Sequence, residues 1–305
     1  MRIVIASGKG GTGKTTVATS LALVAAELGA VRLMDCDVEA PNAGLFLNPV
    51  LERRKEVGLL IPQVDEATCT FCGKCAEVCQ FHAIAVIGKK TLVFPELCHG
   101  CGSCTLVCPE GAISEKLDVM GVLAGGPAAQ GIDFTQGEIN IGEPMAVPII
   151  RELKKWESVS LRGTKQSQPM EDEIASGKNA PRNDILEIRD APPGASCPVV
   201  ESIRGADFVL LVTEPTPFGL HDLKQVAGVV KELGLPAGVI VNRDGIGDNA
   251  VQDYCDDNDI PILMRIPMDR QLAEGIAQGH TLVEIRPEFG LALRDMLEQI
   301  AQRVA

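Results

Sequence analysis

Short apolar runs alternate along the chain with longer stretches of helical periodicity, and this alternation predicts strands joined by helices. The run Ile3-Val4-Ile5-Ala6 marks a strand over Arg2–Ser7, Thr15–Leu28 reads as a helix, and Val31–Asp37 as the next strand. Those three elements make one βαβ unit. Further apolar strands follow at Ile185–Ile188, Phe208–Thr213, Ala237–Asn242 and Ile262–Ile266, and the last three each run into loop signals and then a helix. The final helix, Glu288–Val304, carries a stripe of Phe289, Leu293, Met296, Leu297 and Ile300, with acidic and basic residues mixed on its other face. The pattern predicts an α/β fold with a doubly wound, mostly parallel sheet. In such a sheet ligands sit at the carboxyl ends of the strands.

Two segments depart from the pattern. Between Glu52 and Glu66 the texture turns short, charged and proline-punctuated, as at a domain boundary, and residues 157–183 are polar without periodicity, as in a loop. Gly137 to Pro148 leads into a helix at Ile149–Trp156, for which packing is the expected role.

The first strand opens onto Gly8-Lys9-Gly10-Gly11-Thr12-Gly13-Lys14-Thr15-Thr16. Glycines at this density let backbone N–H groups converge on one point, and the helix N-terminus behind adds positive potential. A nucleotide triphosphate is the natural guest, with Lys14 on the terminal phosphates and the Thr15 hydroxyl on Mg²⁺.

The second lysine of this loop, Lys9, gives it a resemblance to the deviant Walker A ATPases of the MinD/ParA/Mrp type. The resemblance implies ATP and ADP as ligands and a dimer closed around ATP, either a homodimer or a heterodimer with a related ATPase. In that family the early lysine reaches the partner's nucleotide, which would be the part of Lys9. Asp37 of Asp35-Cys36-Asp37 would orient the attacking water, with Asp35 near Mg²⁺. Asp190, at the end of the strand from Ile185, would hold Mg²⁺ through water, and Gly194 would meet the γ-phosphate. Asn242-Arg243 resembles the pair that reads adenine, and Pro267-Met268-Asp269 the loop that covers the base.

Cysteine carries a second signal. Cys69, Cys72, Cys75 and Cys79 recur 29 positions on as Cys98, Cys101, Cys104 and Cys108, and Ala83-Ile84 recurs as Ala112-Ile113. Each half is Cys-x2-Cys-x2-Cys-x3-Cys, the spacing of bacterial two-cluster ferredoxins, in which the fourth cysteine serves the other cluster. By that rule Cys69, Cys72, Cys75 and Cys108 hold one [4Fe–4S] cluster, and Cys98, Cys101, Cys104 and Cys79 the second. Zinc sites pair two Cys-x-x-Cys units without the further members. Gln80 stands where the second half has Pro109, which loosens a turn without removing a ligand. His82 and His99 are then surplus to ligation, and Cys36, Cys197 and Cys255 are read as small buried fillers, with a sensing or transient metal-binding role as the alternative for Cys197.

The predicted layout is therefore an ATPase domain over 1–60 and 117–305 with a small α+β ferredoxin domain inserted at 61–116. It is similar to that of the ATPases of the orange-protein complex. A formal charge of −13 disfavours nucleic acid and acidic membranes as partners. The strand starts at Arg2 without a basic-then-apolar leader, and no stretch of about 18 apolar residues follows, so a cytoplasmic location is expected. The function implied is an ATP-driven dimeric switch whose clusters serve electron transfer or redox-controlled binding of a client protein. A metal-cofactor maturation factor of the Mrp/CooC kind and a MinD-like positioning ATPase are the alternatives. The first lacks the short C-terminal Cys-x-x-Cys of Mrp-type delivery factors, and the second lacks a basic last helix.

Overall fold

The computed structural model describes residues 1–156 and 185–304, so the polar loop read over 157–183 lies outside the described residues. Strand β1 (Arg2–Ala6) passes through the glycine loop into α1 (Lys14–Ala26), and β2 (Val31–Asp35) completes the first βαβ unit. After the short α2 (Gly44–Leu47), β3 (Arg53–Val64) carries the chain out to α3 (Lys74–Val78), a hairpin of β4 (Ile84–Ile87) and β5 (Lys90–Val93), and α4 (Ser103–Val107). Strand β6 (Ile113–Pro127) brings it back, and β7 (Asp133–Ile139) and α5 (Val147–Lys155) follow. Beyond the undescribed segment come β8 (Leu186–Asp190), α6 (Cys197–Ile203), β9 (Phe208–Thr213) and α7 (Pro217–Glu232). The chain closes with β10 (Ala237–Asp244), α8 (Ala250–Asp257), β11 (Ile262–Pro267), α9 (Arg270–Ala277), α10 (Leu282–Ile285) and α11 (Glu288–Val304).

Nine strands form one sheet in the order β11-β10-β9-β1-β8-β2-β7-β6-β3. The seven from β11 to β7 are parallel, and β6 and β3 add antiparallel edges. The residues of β1 alternate between the faces, as a doubly covered sheet requires. Ile3 and Ile5 join Leu21 of α1 and Leu293, Met296 and Ile300 of α11, while Val4 and Ala6 join Val199 of α6 and Leu223 and Val226 of α7. A third cluster packs Ile149, Ile150 and Leu153 of α5 on Met34 and Leu123. Helix α1 is buried nearly all round because it lies between the sheet and α10 and α11. The apolar stripe of α11 is buried, and among the described residues no helix is long and apolar enough to cross a membrane.

The antiparallel edge differs from the sequence reading. Residues 53–64, read as boundary texture, form a strand of 12 residues paired with β6 from Arg53↔Gly125 to Val64↔Ile113. Pro62 is tolerated because β3 is the sheet's edge and needs donors toward β6 alone. Strands β6 and β7 have no apolar alternation that marks them; they depend on glycine instead. A Cβ on Gly121 would lie 2.6 Å from Ile149, and one on Gly137 would lie 2.9 Å from it, so both glycines let α5 close on the sheet. The paired β3 and β6 thus run from the parallel sheet to the cysteine-bearing excursion, with one register shift at Val57/Gly58, where Met120 of β6 is the extra residue.

Fully buried Phe134 on β7 anchors this side of the core, whereas Ile141 just beyond it is fully exposed. Phe134→Ala is expected to cost about 3–5 kcal/mol and Ile141→Ala less than about 0.5 kcal/mol, read from urea-denaturation midpoints. Equal midpoints would contradict the placement of β7.

Candidate functional site

Side chains hold the glycine loop. The Ser7 hydroxyl donates to the Lys9 carbonyl at 2.6 Å, and the Asn242 amide donates to the Thr12 carbonyl at 2.7 Å. Gly13 caps α1 with φ of 93°, and a Cβ there would lie 2.5 Å from the Asn242 nitrogen. Only glycine serves in that left-handed, crowded position. Lys14 then starts α1, and its side chain is buried.

In front of the loop lies a cavity of about 480 Å³. The loop supplies Gly10, Gly11, Gly13, Lys14, Thr15 and Thr16; the strand ends supply Asp37, Asn242, Arg243 and Pro267. Phe46, Leu272 and Ile276 add an apolar wall that sequence reasoning missed, because no short motif marks them. The size and mixed lining suit a nucleotide, with polar groups at one end and an apolar slot at the other.

Other candidate residues stand behind this lining. A Cβ on Gly8 would lie 2.2 Å from the Asp222 carbonyl, and the Gly194 N–H donates to the Ser7 carbonyl at 2.9 Å. The buried Thr12 hydroxyl and Asp190 Oδ1 have no hydrogen-bond partner among the described residues. Asp35 is fully buried and accepts N–H groups of Asp37, Asn42 and Ala43 at 3.1, 2.8 and 2.9 Å. In this chain its visible task is to fold the loop that presents Asp37.

Asp35 and Asp190 are register partners across β2 and β8. Burial, and then Asp190, push the Asp35 carboxyl up to about 8. Burial likewise raises Asp190 to about 6, against the opposing pull of Lys14 and a hydrogen bond with Thr15. Asp37 is also raised by burial and restrained by Lys14. A buried carboxylate with an unused oxygen, beside a threonine hydroxyl, is the donor set that a hydrated hard cation such as Mg²⁺ takes.

Lys9 is not among the residues that line the cavity. Its ammonium meets Glu214 Oε2 at 3.2 Å, and Arg243 meets Oε1 of the same buried carboxylate at 2.7 Å. Arg243 also donates to the Gly11 carbonyl at 3.2 Å. Sequence reasoning missed Glu214, although its place just after β9, at the carboxyl edge of the sheet, was a usable signal.

The cysteine-bearing excursion encloses two cavities. Cys69, Cys72, Cys75 and Cys108 line one, and Cys79, Cys98, Cys101 and Cys104 line the other. The two halves present matching N–H···S contacts: Phe71 to Cys69 and Gly100 to Cys98 at 3.4 Å, Ala83 to Cys79 and Ala112 to Cys108 at 3.3 Å. Among the described residues no three or more metal-ligating side chains gather closely enough for a single ion. Four thiols spread around a cavity, with backbone donors aimed at the sulfurs, suit a cluster instead. His82 and His99 are exposed, and His99 stacks on Phe81 with centroids 3.7 Å apart. Cys36 and Cys255 are buried, with thiols pushed up to about 12 and about 11 by burial. Cys197 corrects the reading of it as a buried filler: it is exposed at the head of α6.

A family model described as the CobQ/CobB/MinD/ParA nucleotide binding domain matches residues 3–283. The chain is 29% identical to an uncharacterized protein of Methanocaldococcus jannaschii over 302 residues, covering 99% of this chain and 96% of that one. The fold is similar to that of the septum site-determining protein MinD of Pyrococcus horikoshii, solved with Mg-ADP. That match has a TM-score of 0.54 at 22% identity and covers 100% and 98% of the two chains. It is also similar to a chain of the MinC:MinD cell division complex of Aquifex aeolicus, with a TM-score of 0.54 at 17% identity and coverage of 99% and 96%.

The raised carboxyls make a pH prediction. In protein free of metal and nucleotide, Asp35 and Asp190 hold protons in the folded state that they release on unfolding. Stability should therefore fall as pH rises from 6 to 8, by at most about 1.4 kcal/mol per pH unit for each proton. Calorimetric melting at both pH values checks this, and Asp35→Asn should flatten the dependence; an unaltered slope in that variant would contradict the assignment.

Proposed function

The chain belongs to the CobQ/CobB/MinD/ParA nucleotide-binding family, and we propose that it is an ATP-hydrolysing dimeric switch that carries two [4Fe–4S] clusters. The nucleotide state is coupled to electron transfer or to redox-controlled binding of a partner protein. One observation carries this reading. A P-loop cavity and two four-cysteine cavities occupy one chain, joined by the β3–β6 pair.

In the ATPase half, the loop amides and Lys14 bind and orient the phosphates. Thr15 and the free oxygen of Asp190 hold hydrated Mg²⁺, and Asp37 orients the water that attacks the γ-phosphate. Asn242 and the apolar wall of Phe46 and Leu272 enclose the base, and Pro267 closes over it. Lys9 is stored on Glu214 until a second subunit closes; it then reaches the partner's ATP. Gly194 couples hydrolysis to α6 through its bond to the Ser7 carbonyl.

In the excursion, Cys69, Cys72, Cys75 and Cys108 hold one cluster, and Cys98, Cys101, Cys104 and Cys79 the other. The clusters supply one-electron chemistry. The N–H···S contacts stabilise the added negative charge of the reduced state.

Two results test the halves separately. Lys14→Ala should abolish ATP binding in equilibrium dialysis, whereas Asp37→Ala should bind ATP and lose most turnover; ATP retained by Lys14→Ala would overturn the phosphate site. Cys72→Ala should lose about half of the iron of the anaerobically reconstituted protein and keep its nucleotide affinity. An unchanged iron count would refute the cysteine grouping.

A further inference from the structure

A groove of about 790 Å³ lies between the β3–β6 pair and α6. Its floor is apolar: Leu59 of β3, Met145 and Val147 ahead of and in α5, and Pro198 and Val200 of α6. Its rim carries Arg151, Lys155 and Arg204, together with Glu152 and Glu201. Both carboxylates are already doubly held. Glu152 takes Lys55 and Lys155, each at 3.0 Å, and Glu201 takes Arg151 and Lys154, each at 3.2 Å. Four cations thus share two carboxylates, and Arg204 adds another positive charge, in a chain whose formal charge is −13. Glu96, Asp118 and Glu143 line a separate, smaller dent beyond Leu59 and Met145. The positive excess is therefore local to the α5–α6 side.

His99 gives this groove a second meaning, because it lines both the groove and the cavity of Cys79, Cys98, Cys101 and Cys104. A partner seated here is separated from that cavity by one side chain. The opposite wall, α6, follows the Asp190–Gly194 turn that touches the phosphate loop. A bound partner therefore touches both halves of the protein.

We propose that the groove docks an acidic redox protein, which exchanges one electron with the cluster of the second cavity. This rests on the cluster reading above. Carboxylates of the partner pair with Arg151, Lys155 and Arg204, while its apolar residues cover Leu59, Met145 and Val200. The apolar floor favours a protein surface over a polyphosphate, whose contacts would be polar throughout. The partner's reduced centre loses one electron, the cluster gains it, and no atom is transferred. Because α6 forms one wall, the affinity differs between nucleotide states.

The probe is an acidic flavodoxin, titrated calorimetrically into the reconstituted full chain at low ionic strength, with cluster reduction by its hydroquinone followed by stopped flow. Arg151→Glu with Lys155→Glu should weaken binding and slow reduction by about tenfold or more, and added salt should do the same to the unsubstituted protein. Basic cytochrome c, drawn to the acidic remainder of the surface, should bind this variant at least as well as the parent. A variant that had lost its fold would also lose nucleotide binding and its cooperative melt; Arg151→Gln with Lys155→Gln must then still weaken flavodoxin selectively. No flavodoxin binding, or binding indifferent to these charges, overturns the proposal. If binding responds as stated but the chain holds no iron, the cluster reading fails while the docking surface stands.

Discussion

The parallel register that sets Ile5, Asp190 and Asp35 side by side across β1, β8 and β2 is the constraint on which the rest of the molecule depends. It aligns the carboxyl ends of the central strands, so that the phosphate loop, Asp37 and the Asp190–Gly194 turn emerge at one edge. Glu214 after β9, Asn242 on β10 and Pro267 at the end of β11 reach the same edge from the other side. Two carboxylates forced together in the core then need relief. Asp35 finds it in three backbone N–H groups; Asp190 keeps an oxygen unpaired, which leaves it open to a hydrated cation.

The antiparallel edge extends this ordered core to the cysteines. An excursion tethered by flexible linkers would move independently of the nucleotide site, but β3 and β6 are paired from Arg53 and Gly125 to Val64 and Ile113, with a single bulge at Val57/Gly58. Helix α5 clamps them to the sheet through Gly121 and Gly137, and α6 packs beside α5. A shift in the turn that holds Gly194 thus has a packed route to the excursion, one that needs no motion of the sheet itself.

Much of this was legible in the sequence where chemistry demands fixed spacing. The glycine loop and the doubled cysteine repeat announce themselves because phosphate cradles and clusters accept few alternatives to glycine and cysteine. Six of the seven parallel strands were legible as apolar runs because both their faces are covered. Strands β3, β6 and β7 were not, since β3 meets β6 only across the whole cysteine-bearing excursion and their apolar residues are interrupted by charged residues, glycine and proline. Glu214 was hidden for a different reason: it is a single residue whose task appears only when β9 and β1 lie adjacent. Asp35 was read for its charge toward Mg²⁺, while its three bonds to the following loop depend on a backbone path that local sequence does not reveal.

The central claim is that nucleotide state and cluster state are coupled within one chain. The most direct measurement is an anaerobic redox titration of the reconstituted protein, monitored by EPR, with ATP, with ADP and without nucleotide. The account predicts a midpoint potential that moves with ATP; for one electron, about 60 mV corresponds to a tenfold change in the reduction equilibrium. Identical potentials and spectra in all three states would contradict it, leaving an ATPase and a cluster carrier that share a chain without sharing a mechanism.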